Sequence, residues 1–214
     1  AADEGVSPLV VGLVDVGGVE ELRGIEAGGA SFFPRMPIML RADQIDIDQE
    51  IRGSTVTLLP TPGFSIDIGT RSEFGFTEAD LRRIFATTVT IGNLLTDDIT
   101  VSAPVSIPIS NFANLALVAS ADAAVNAPLS VAGDLSISSA VLDVRTLAPL
   151  TSTSGNVSLT ADDLNIASPV NAFNTITVRP LTGTVHVDLG TDAGGKLALT
   201  DAEIDNLLAP TLIF

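Results

Sequence analysis

The sequence predicts an all-β fold, a single-stranded parallel β-helix (β-solenoid) of about ten coils that carries two short helical insertions. Three observations predict it: a long internal repeat, short strands of alternating character, and prolines that recur at nearly equal spacing. Repetition of layout along a chain indicates a stacked array. Short strands in such an array favour a solenoid, because each coil can hydrogen-bond to the next along one axis.

The internal repeat consists of two similar segments, residues 38–91 and residues 157–214. In the first copy, Ile66–Thr70 reads IDIGT, and it corresponds to VDLGT at Val187–Thr191 in the second copy. Such self-similarity is typical of arrays in which one unit cannot bury its apolar face alone.

The repeat also divides the chain. Residues 92–156 separate the two copies with the strand rhythm of regular coils, so we predict one β-helix over residues 38–214. Residues 1–37 are irregular, and we predict a cap or a degenerate coil that covers a solenoid edge there. At the other end, Leu212–Phe214 corresponds to Val89–Ile91, after which the first copy continues, and we expect an open edge.

Short strands and prolines set the length of each coil. Five segments alternate apolar with small or polar residues, the period-two signal of a half-buried strand. They begin at Ile99, Leu115, Leu135, Val157 and Ile176. Four prolines each follow a small residue and precede valine or leucine: Pro104, Pro128, Pro149 and Pro169. Proline lacks the N–H that a central ladder needs, so each predicts a corner that opens a strand.

An antiparallel sandwich is the alternative fold, because it too consists of short alternating strands. Its strands recur about every 8–12 residues, a shorter period than the one of about 20 in this chain. The sequence also contains no Asn-Gly or Asp-Gly dipeptide, which are the strongest short hairpin signals. The parallel β-helix accounts for both facts.

Two segments interrupt the strand pattern with helical signals. Thr77–Phe85 begins with a threonine N-cap and acidic residues, and Thr200–Leu208 repeats this with Glu203 placed to complete a capping box. Each predicted helix has about two turns, so its apolar face must pack on the strands. These apolar residues are Leu81, Ile84, Phe85, Ile204, Leu207 and Leu208. We interpret both helices as braces on the solenoid, with a partner-docking helix as the alternative.

Composition and charge exclude several classes of function. The net charge is −16 with only 10 Lys and Arg residues, so we expect no nucleic-acid interface, which needs a basic stripe. The same deficit disfavours anionic membranes, and no apolar run is long enough for membrane insertion. Cysteine is absent, which removes disulfides and thiolate metal sites. The apolar residues are mainly aliphatic, without Trp or Tyr, and suit thin strand layers.

The block DLGT at Asp188–Thr191, followed by LTDAEID at Leu199–Asp205, resembles the long secreted bacterial proteins of the filamentous haemagglutinin type. Recurrent strands of the Leu-Thr-Ala-Asp type and Ala-Pro-Leu corners extend this resemblance over residues 38–214. The resemblance implies a right-handed parallel β-helix, secreted or displayed at the bacterial cell surface, with a role in adhesion, biofilm or contact-dependent competition. The chain has no counterpart of the family's amino-terminal secretion domain with its Asn-Pro-Asn motifs, so the export route does not follow.

Candidate catalytic residues are few. His186 is the only histidine, and its alternation with apolar neighbours predicts an outward position on a strand, so we expect no Ser-His triad. The acidic candidates are Asp43, Asp46, Asp48, Asp97, Asp98, Asp162 and Asp163. Paired carboxylates serve glycoside hydrolases, but a sugar cleft usually adds Trp or Tyr platforms, which this chain lacks. We therefore predict no enzymatic activity and no catalytic or cofactor-binding residues.

We likewise predict no dedicated metal ligands. Calcium is the ion that the aspartates suit best, because it prefers oxygen ligands. The chain nevertheless lacks both the glycine-rich nonapeptide of calcium rolls and an EF-hand loop. Aspartates that cap turns explain most of these positions.

Together these observations predict a structural extracellular protein, and three hypotheses remain. The first is the rigid shaft of a bacterial surface adhesin, and the second is a filament-forming subunit that associates end to end through the edge at Phe214. The third is a polysaccharide-active β-helix enzyme, or a calcium-dependent binding module. The expected partners are a second copy of the chain at the solenoid edge, and a host or neighbouring-cell surface or a glycan on the flank.

Overall fold

The protein is described here by a computed structural model. It covers residues 36–42, 44–72, 74–190 and 197–214 in full, together with the backbone of four strands between Leu9 and Glu26. Short strands predominate, and they stack in parallel from coil to coil. The all-β parallel solenoid that the sequence predicts is therefore confirmed.

The strands are numbered in chain order. The first ten are β1 (Leu9–Val11), β2 (Leu13–Val16), β3 (Val19–Leu22), β4 (Ile25–Glu26), β5 (Ile38–Arg41), β6 (Ile45–Ile47), β7 (Ile51–Arg52), β8 (Thr55–Leu59), β9 (Ile66–Ile68) and β10 (Gly75–Phe76). The next nine are β11 (Ile84–Gly92), β12 (Ile99–Val101), β13 (Val105–Ile107), β14 (Phe112–Val118), β15 (Asp122–Val125), β16 (Leu129–Val131), β17 (Leu135–Ser138), β18 (Val141–Val144) and β19 (Leu150–Ser152). The last eight are β20 (Val157–Thr160), β21 (Asp163–Ile166), β22 (Val170–Ala172), β23 (Thr175–Arg179), β24 (Val187–Leu189), β25 (Leu197–Leu199), β26 (Leu207–Leu208) and β27 (Thr211–Ile213).

Three parallel sheets run along the solenoid. The first sheet follows the order β5-β8-β11-β14-β17-β20-β23-β27, and the N-terminal end of β11 also pairs with β7, which pairs with β4. The second sheet is β10-β9-β12-β15-β18-β21, and the third is β13-β16-β19-β22-β26. Outside these sheets β1 pairs with β6 and β24 with β25, both parallel, while β2 and β3 form an antiparallel pair.

The core lies between the three sheets and consists of aliphatic columns. In the first sheet Leu117, Ile137 and Leu159 stand in register on successive strands, each no more than 1% exposed. Val101 of the second sheet and Val131 of the third are buried in the same core. Because like residues stack on like, every coil buries its apolar face against the coils on both sides.

The predicted corners are confirmed. Pro104, Pro128, Pro149 and Pro169 directly precede β13, β16, β19 and β22. The N–H groups of Val105, Leu129 and Leu150 donate to the proline carbonyls of the following coil, at 2.9–3.1 Å. Proline therefore serves as an acceptor in the ladder, at a position where no donor of its own is needed.

The helical insertions are shorter than predicted. Helix α1 is one turn, Glu78–Leu81, and helix α2 is one turn, Asp201–Ile204. The prediction that Ile84, Phe85, Leu207 and Leu208 lie on helical faces is wrong, because Ile84 and Phe85 begin β11 and Leu207 and Leu208 form β26. Ile84 pairs with β7 and Leu207 with β22, so both residues gain ladder partners that a second helical turn would not supply.

Several sequence predictions concern residues outside the described part. Most of the predicted cap or degenerate coil at residues 1–37 is among them. Of its four described strands, β1 pairs in parallel with β6 and β4 pairs in parallel with β7. Asp43 also lies outside it. Within the described residues, no helix has the length and apolarity needed to cross a bilayer.

Replacing Ile137 by alanine tests the stacked core. Ile137 is fully buried between Leu117 and Leu159, so Ile137→Ala should lower the free energy of unfolding by about 2–5 kcal/mol. The measurement is urea denaturation followed by circular dichroism. Ser136→Ala on the outward side of the same strand is the control and should change the free energy little. Equal effects of the two substitutions would contradict an inward column at Ile137.

Candidate functional site

The two repeat copies contain the same local structure. In the first copy β9 leads through Gly69 to a loop, then β10, then α1, and in the second β24 leads through Gly190 to β25 and α2. Gly69 N–H donates to Phe76 O at 2.8 Å, and Gly190 N–H donates to Leu199 O at 2.7 Å. Both glycines have positive φ, 110° and 86°, which glycine adopts without the strain of a side chain. We call this strand–loop–strand–helix segment the brace.

Each brace helix begins with a capping box. Thr77 Oγ1 accepts from Asp80 N while Asp80 accepts from Thr77 N at 3.0 Å, and Thr200 with Glu203 repeats this arrangement. One helical turn is too short to be stable in isolation. The reciprocal bonds satisfy two donors that a helix start leaves open, so they allow a one-turn helix to end each brace.

In the first copy the brace is held by charges. Asp80 is buried and pairs with Arg71 at 2.8 Å, and Arg71 also pairs with the carboxylate of Asp46. Burial alone would lower the pKa of Arg71, but the carboxylates of Asp80 and Asp46 raise it above its ordinary value. Arg83 donates to Ile47 O at 3.0 Å. These bonds tie α1 and the preceding loop to β6.

In the second copy an uncharged amide, that of Asn206, replaces the guanidinium group of Arg83. Asn206 Nδ2 donates to Ile166 O at 2.9 Å, as Arg83 does to Ile47 O in the first copy. Glu203 Oε1 accepts from Ile166 N at 3.1 Å. Both copies therefore attach the brace helix to the end of the strand beneath it, but with different polar chemistry.

The outer side of α1 holds the next strand. Glu78 accepts from Ser106 N at 3.1 Å and Arg82 donates to Ser106 O at 2.9 Å. The two side chains therefore make the hydrogen bonds that a neighbouring strand would make with the backbone of Ser106 in β13. At the matching positions the second copy carries Asp201 and Asp205, both exposed. The outer side of α2 is therefore acidic and presents no such donor.

An apolar edge lies at the same end of the solenoid as α2. It consists of four partly exposed side chains, Leu189 (47%), Leu208 (49%), Ile213 (50%) and Phe214 (42%). β27 pairs with β23 on one side. Its counterpart in the first copy is the second half of β11, which pairs with β14 on its other side. In the first copy the strand that corresponds to β27 is covered by a further parallel strand, β14. The apolar edge is the equivalent surface of the second copy.

Three of the acidic residues that the sequence singles out make structural bonds. Asp46 pairs with Arg71, Asp98 Oδ1 accepts from Asp122 N at 3.1 Å, and Asp162 binds Thr182. The side chains of Asp48, Asp97 and Asp163 are exposed. His186 is exposed just before β24, and its carbonyl accepts from Leu197 N at 3.0 Å. In the described ranges, no three of His, Asp and Glu meet as a metal site would require.

Sequence reasoning missed the ion network of the first brace. Arg71, Asp46 and Asp80 are far apart in the chain, and their approach depends on how β6, the loop after β9 and α1 stack. One local signal was available, because Asp80 and Arg83 lie three residues apart at 3.5 Å, a spacing typical of helical ion pairs.

Comparison with family models, with curated proteins and with solved structures finds no match for this chain. The resemblance to proteins of the filamentous haemagglutinin type therefore remains an expectation that rests on the residues quoted for it. The function is argued below from the solenoid, the braces and the apolar edge.

Replacing Asp80 tests the ion-paired brace of the first copy against the brace of the second copy. Asp80→Asn removes one acceptor oxygen from a buried group that binds Thr77 and Arg71, and it should cost about 1–3 kcal/mol of unfolding free energy. Glu203→Gln at the equivalent position, where no ion pair with arginine occurs among the described residues, should cost less. Urea denaturation measures both. A larger loss in Glu203→Gln would contradict the expected added stability from the ion pairs of Asp80.

Acid should weaken the contact at Asp162. Its carboxylate accepts from Thr182 Oγ1 at 2.6 Å and from Thr182 N at 2.7 Å, and these bonds lower its pKa below the ordinary 3.8. A lowered folded pKa stabilises the fold above the ordinary value, and this stability is lost as pH falls through the folded pKa. The difference in unfolding free energy between the native chain and Asp162→Asn should therefore be largest above about pH 5 and shrink in acid.

Denaturation at a series of pH values measures this difference. Asp163→Asn, which changes an exposed neighbouring carboxylate, is the matched control. A difference for Asp162→Asn that stays constant down to strong acid would contradict the role of its ionised carboxylate.

Proposed function

We propose that this chain is a structural protein, a rigid β-solenoid segment of a bacterial surface adhesin or of a cell-surface filament. We further propose about ten coils in all, which would give a rod on the order of 50 Å long. The observation that carries the proposal is the first sheet, whose eight strands β5, β8, β11, β14, β17, β20, β23 and β27 continue in parallel through the described chain. Secretion, adhesion and biofilm enter only through the resemblance of the sequence.

The mechanism is mechanical. Every coil is tied to the next by backbone hydrogen bonds parallel to the axis and by aliphatic columns such as Leu117–Ile137–Leu159. In a solenoid each unit interacts mainly with its neighbours, so stiffness and length grow together as units are added. The braces support this role because they bind the flanks of successive coils.

The apolar edge supports end-to-end pairing. Strand edges with exposed aliphatic side chains are prone to pair with another chain, and Ile213 and Phe214 are both exposed at this edge. The acidic side of α2, with Asp201 and Asp205, would repel a partner that is acidic at the facing position. A partner surface that is aliphatic and carries no facing carboxylate therefore suits this edge.

Negative-stain electron microscopy across a concentration series tests the proposal. Stiff rods of uniform width support a structural shaft, and filaments that grow with concentration support a filament-forming subunit. Compact particles without an elongated axis would contradict both forms of the proposal.

A charge at the apolar edge should abolish filaments. Ile213 is half exposed on β27, the strand that would pair with a second copy, and Ile213→Asp places a carboxylate that pairing would desolvate. The expected result is single rods at concentrations where the native chain forms filaments. Ile109→Asp, at a corner where Ile109 is 68% exposed, is the control and should leave filaments intact. Filaments that persist in Ile213→Asp would show that the apolar edge is not the interface.

A further inference from the structure

A corner of the first copy is formed by two neighbouring loops that hold each other. One loop connects β8 to β9 and the other connects β11 to β12. Gly63 N–H donates to Leu95 O at 2.9 Å, Asp97 N–H donates to Phe64 O at 3.2 Å, and Ile66 N–H donates to Asp98 O at 2.8 Å. These three bonds fix the backbone on both sides of Phe64, so the Cα–Cβ bond of Phe64 is held at this corner before any ligand arrives.

Beside Phe64 lies an open cavity of about 520 Å³. A volume of roughly 300–1,000 Å³ is usual for small-molecule sites. The side chains that line it include the partly exposed ring of Phe64 and four polar groups, Ser65, Asp67, Ser72 and Thr100. The cavity thus combines the aromatic ring of Phe64 with three hydroxyl groups and one carboxylate.

The polar groups can bind hydroxyl groups of a ligand. A serine or threonine hydroxyl both donates and accepts, and a carboxylate has about four acceptor positions. Asp67 already accepts from Thr70 Oγ1 at 2.8 Å and from the hydroxyl of Ser102, one bond on each oxygen. These bonds fix the Asp67 carboxylate and leave acceptor positions for a ligand. An anionic ligand is disfavoured by this carboxylate and by the net charge of −16.

The second copy provides an internal comparison. Phe64 N–H donates to Thr61 O at 3.3 Å and Val185 N–H donates to Thr182 O at 2.9 Å, so Phe64 and Val185 occupy the same place in the same turn. The second copy therefore keeps the turn but lacks the aromatic ring. An aliphatic side chain thus occupies the place of Phe64 in a turn with the same backbone hydrogen bond.

We propose that this cavity binds one ring of an uncharged glycan. The C–H groups on one side of a sugar ring carry partial positive charge and pack on the negative face of the Phe64 ring. The sugar hydroxyls then bond to Ser65, Thr100 and Asp67 at the cavity wall. This goes beyond the structural role proposed above, because it gives the flank of the solenoid a binding site of its own.

Tryptophan substitution gives a direct test, because the chain has no Trp or Tyr and any indole fluorescence comes from the introduced residue. Phe64→Trp keeps an aromatic face at the cavity. Phe173→Trp is the matched control, since Phe173 is 63% exposed at a different corner. The probes are tetrasaccharides of β-linked glucose, galactose and N-acetylglucosamine, with sulfated dextran as the anionic comparison.

The expected result is a saturable change in emission for Phe64→Trp with at least one neutral tetrasaccharide, and none for Phe173→Trp or with sulfated dextran. Adding Ser65→Ala should weaken the binding about two- to tenfold, the effect of one neutral hydrogen bond. Flat titrations with all three neutral sugars, in a variant whose circular dichroism and melting temperature match the native chain, would overturn the proposal. Equal responses from the two reporters would also overturn it, because they would show non-specific contact.

Saturation-transfer NMR on the unsubstituted chain provides a second measurement that does not depend on the reporter. Transfer to the sugar should be lost in Phe64→Ala and retained in Phe173→Ala. Retention of the full signal in Phe64→Ala would place the binding elsewhere and contradict the proposed site.

Discussion

The parallel register between successive coils is the constraint on which the rest of this structure depends. Strands one coil apart align residue by residue, as Leu135 does with Val157 and Val157 with Ile176. Because side chains alternate between the two faces of a strand, a slip by one residue would turn every inward aliphatic group outward. The register therefore determines the core, the positions of the corners and the side chains that reach the flank.

The braces allow a coil to contain extra residues while the register of the first sheet is kept. In each copy the chain adds a strand to the coil: β10 pairs in parallel with β9, and β25 pairs in parallel with β24. A one-turn helix then connects this added strand to the next strand of the solenoid. Gly69 and Gly190 permit the turn that follows β9 and β24, and the capping boxes of Thr77 and Thr200 begin the helices that end each brace. The brace thus lengthens a coil while the first sheet continues past it, whereas β1-β6 and β24-β25 form two-stranded sheets separate from the second sheet.

Local signals in the sequence predicted much of this fold. Strands at Leu135 and Val157 and the corner prolines were recognisable because alternation and proline chemistry act over a few residues. The length of the helices was not, because Ile84 and Leu207 fit a helical face and a strand equally well until their ladder partners are known. The network of Arg71 and the cavity beside Phe64 depend on residues that meet only through stacking, and no local pattern reports such meetings.

The two copies share a backbone but differ in side-chain chemistry. Four phenylalanines in and beside the first brace correspond to aliphatic residues of the second copy: Phe64 to Val185, Phe74 to Leu197, Phe76 to Leu199 and Phe85 to Leu208. Phe74 and Phe76 pack edge-on against each other, and Phe85 lies under the guanidinium of Arg52 at 4.2 Å, so three of the four have structural partners. Phe64 instead borders a polar cavity. Because the ladder maintains the fold in both copies, their flanks can carry different side chains without changing it. The first copy carries an aromatic corner at Phe64, and the second carries the acidic outer side of α2.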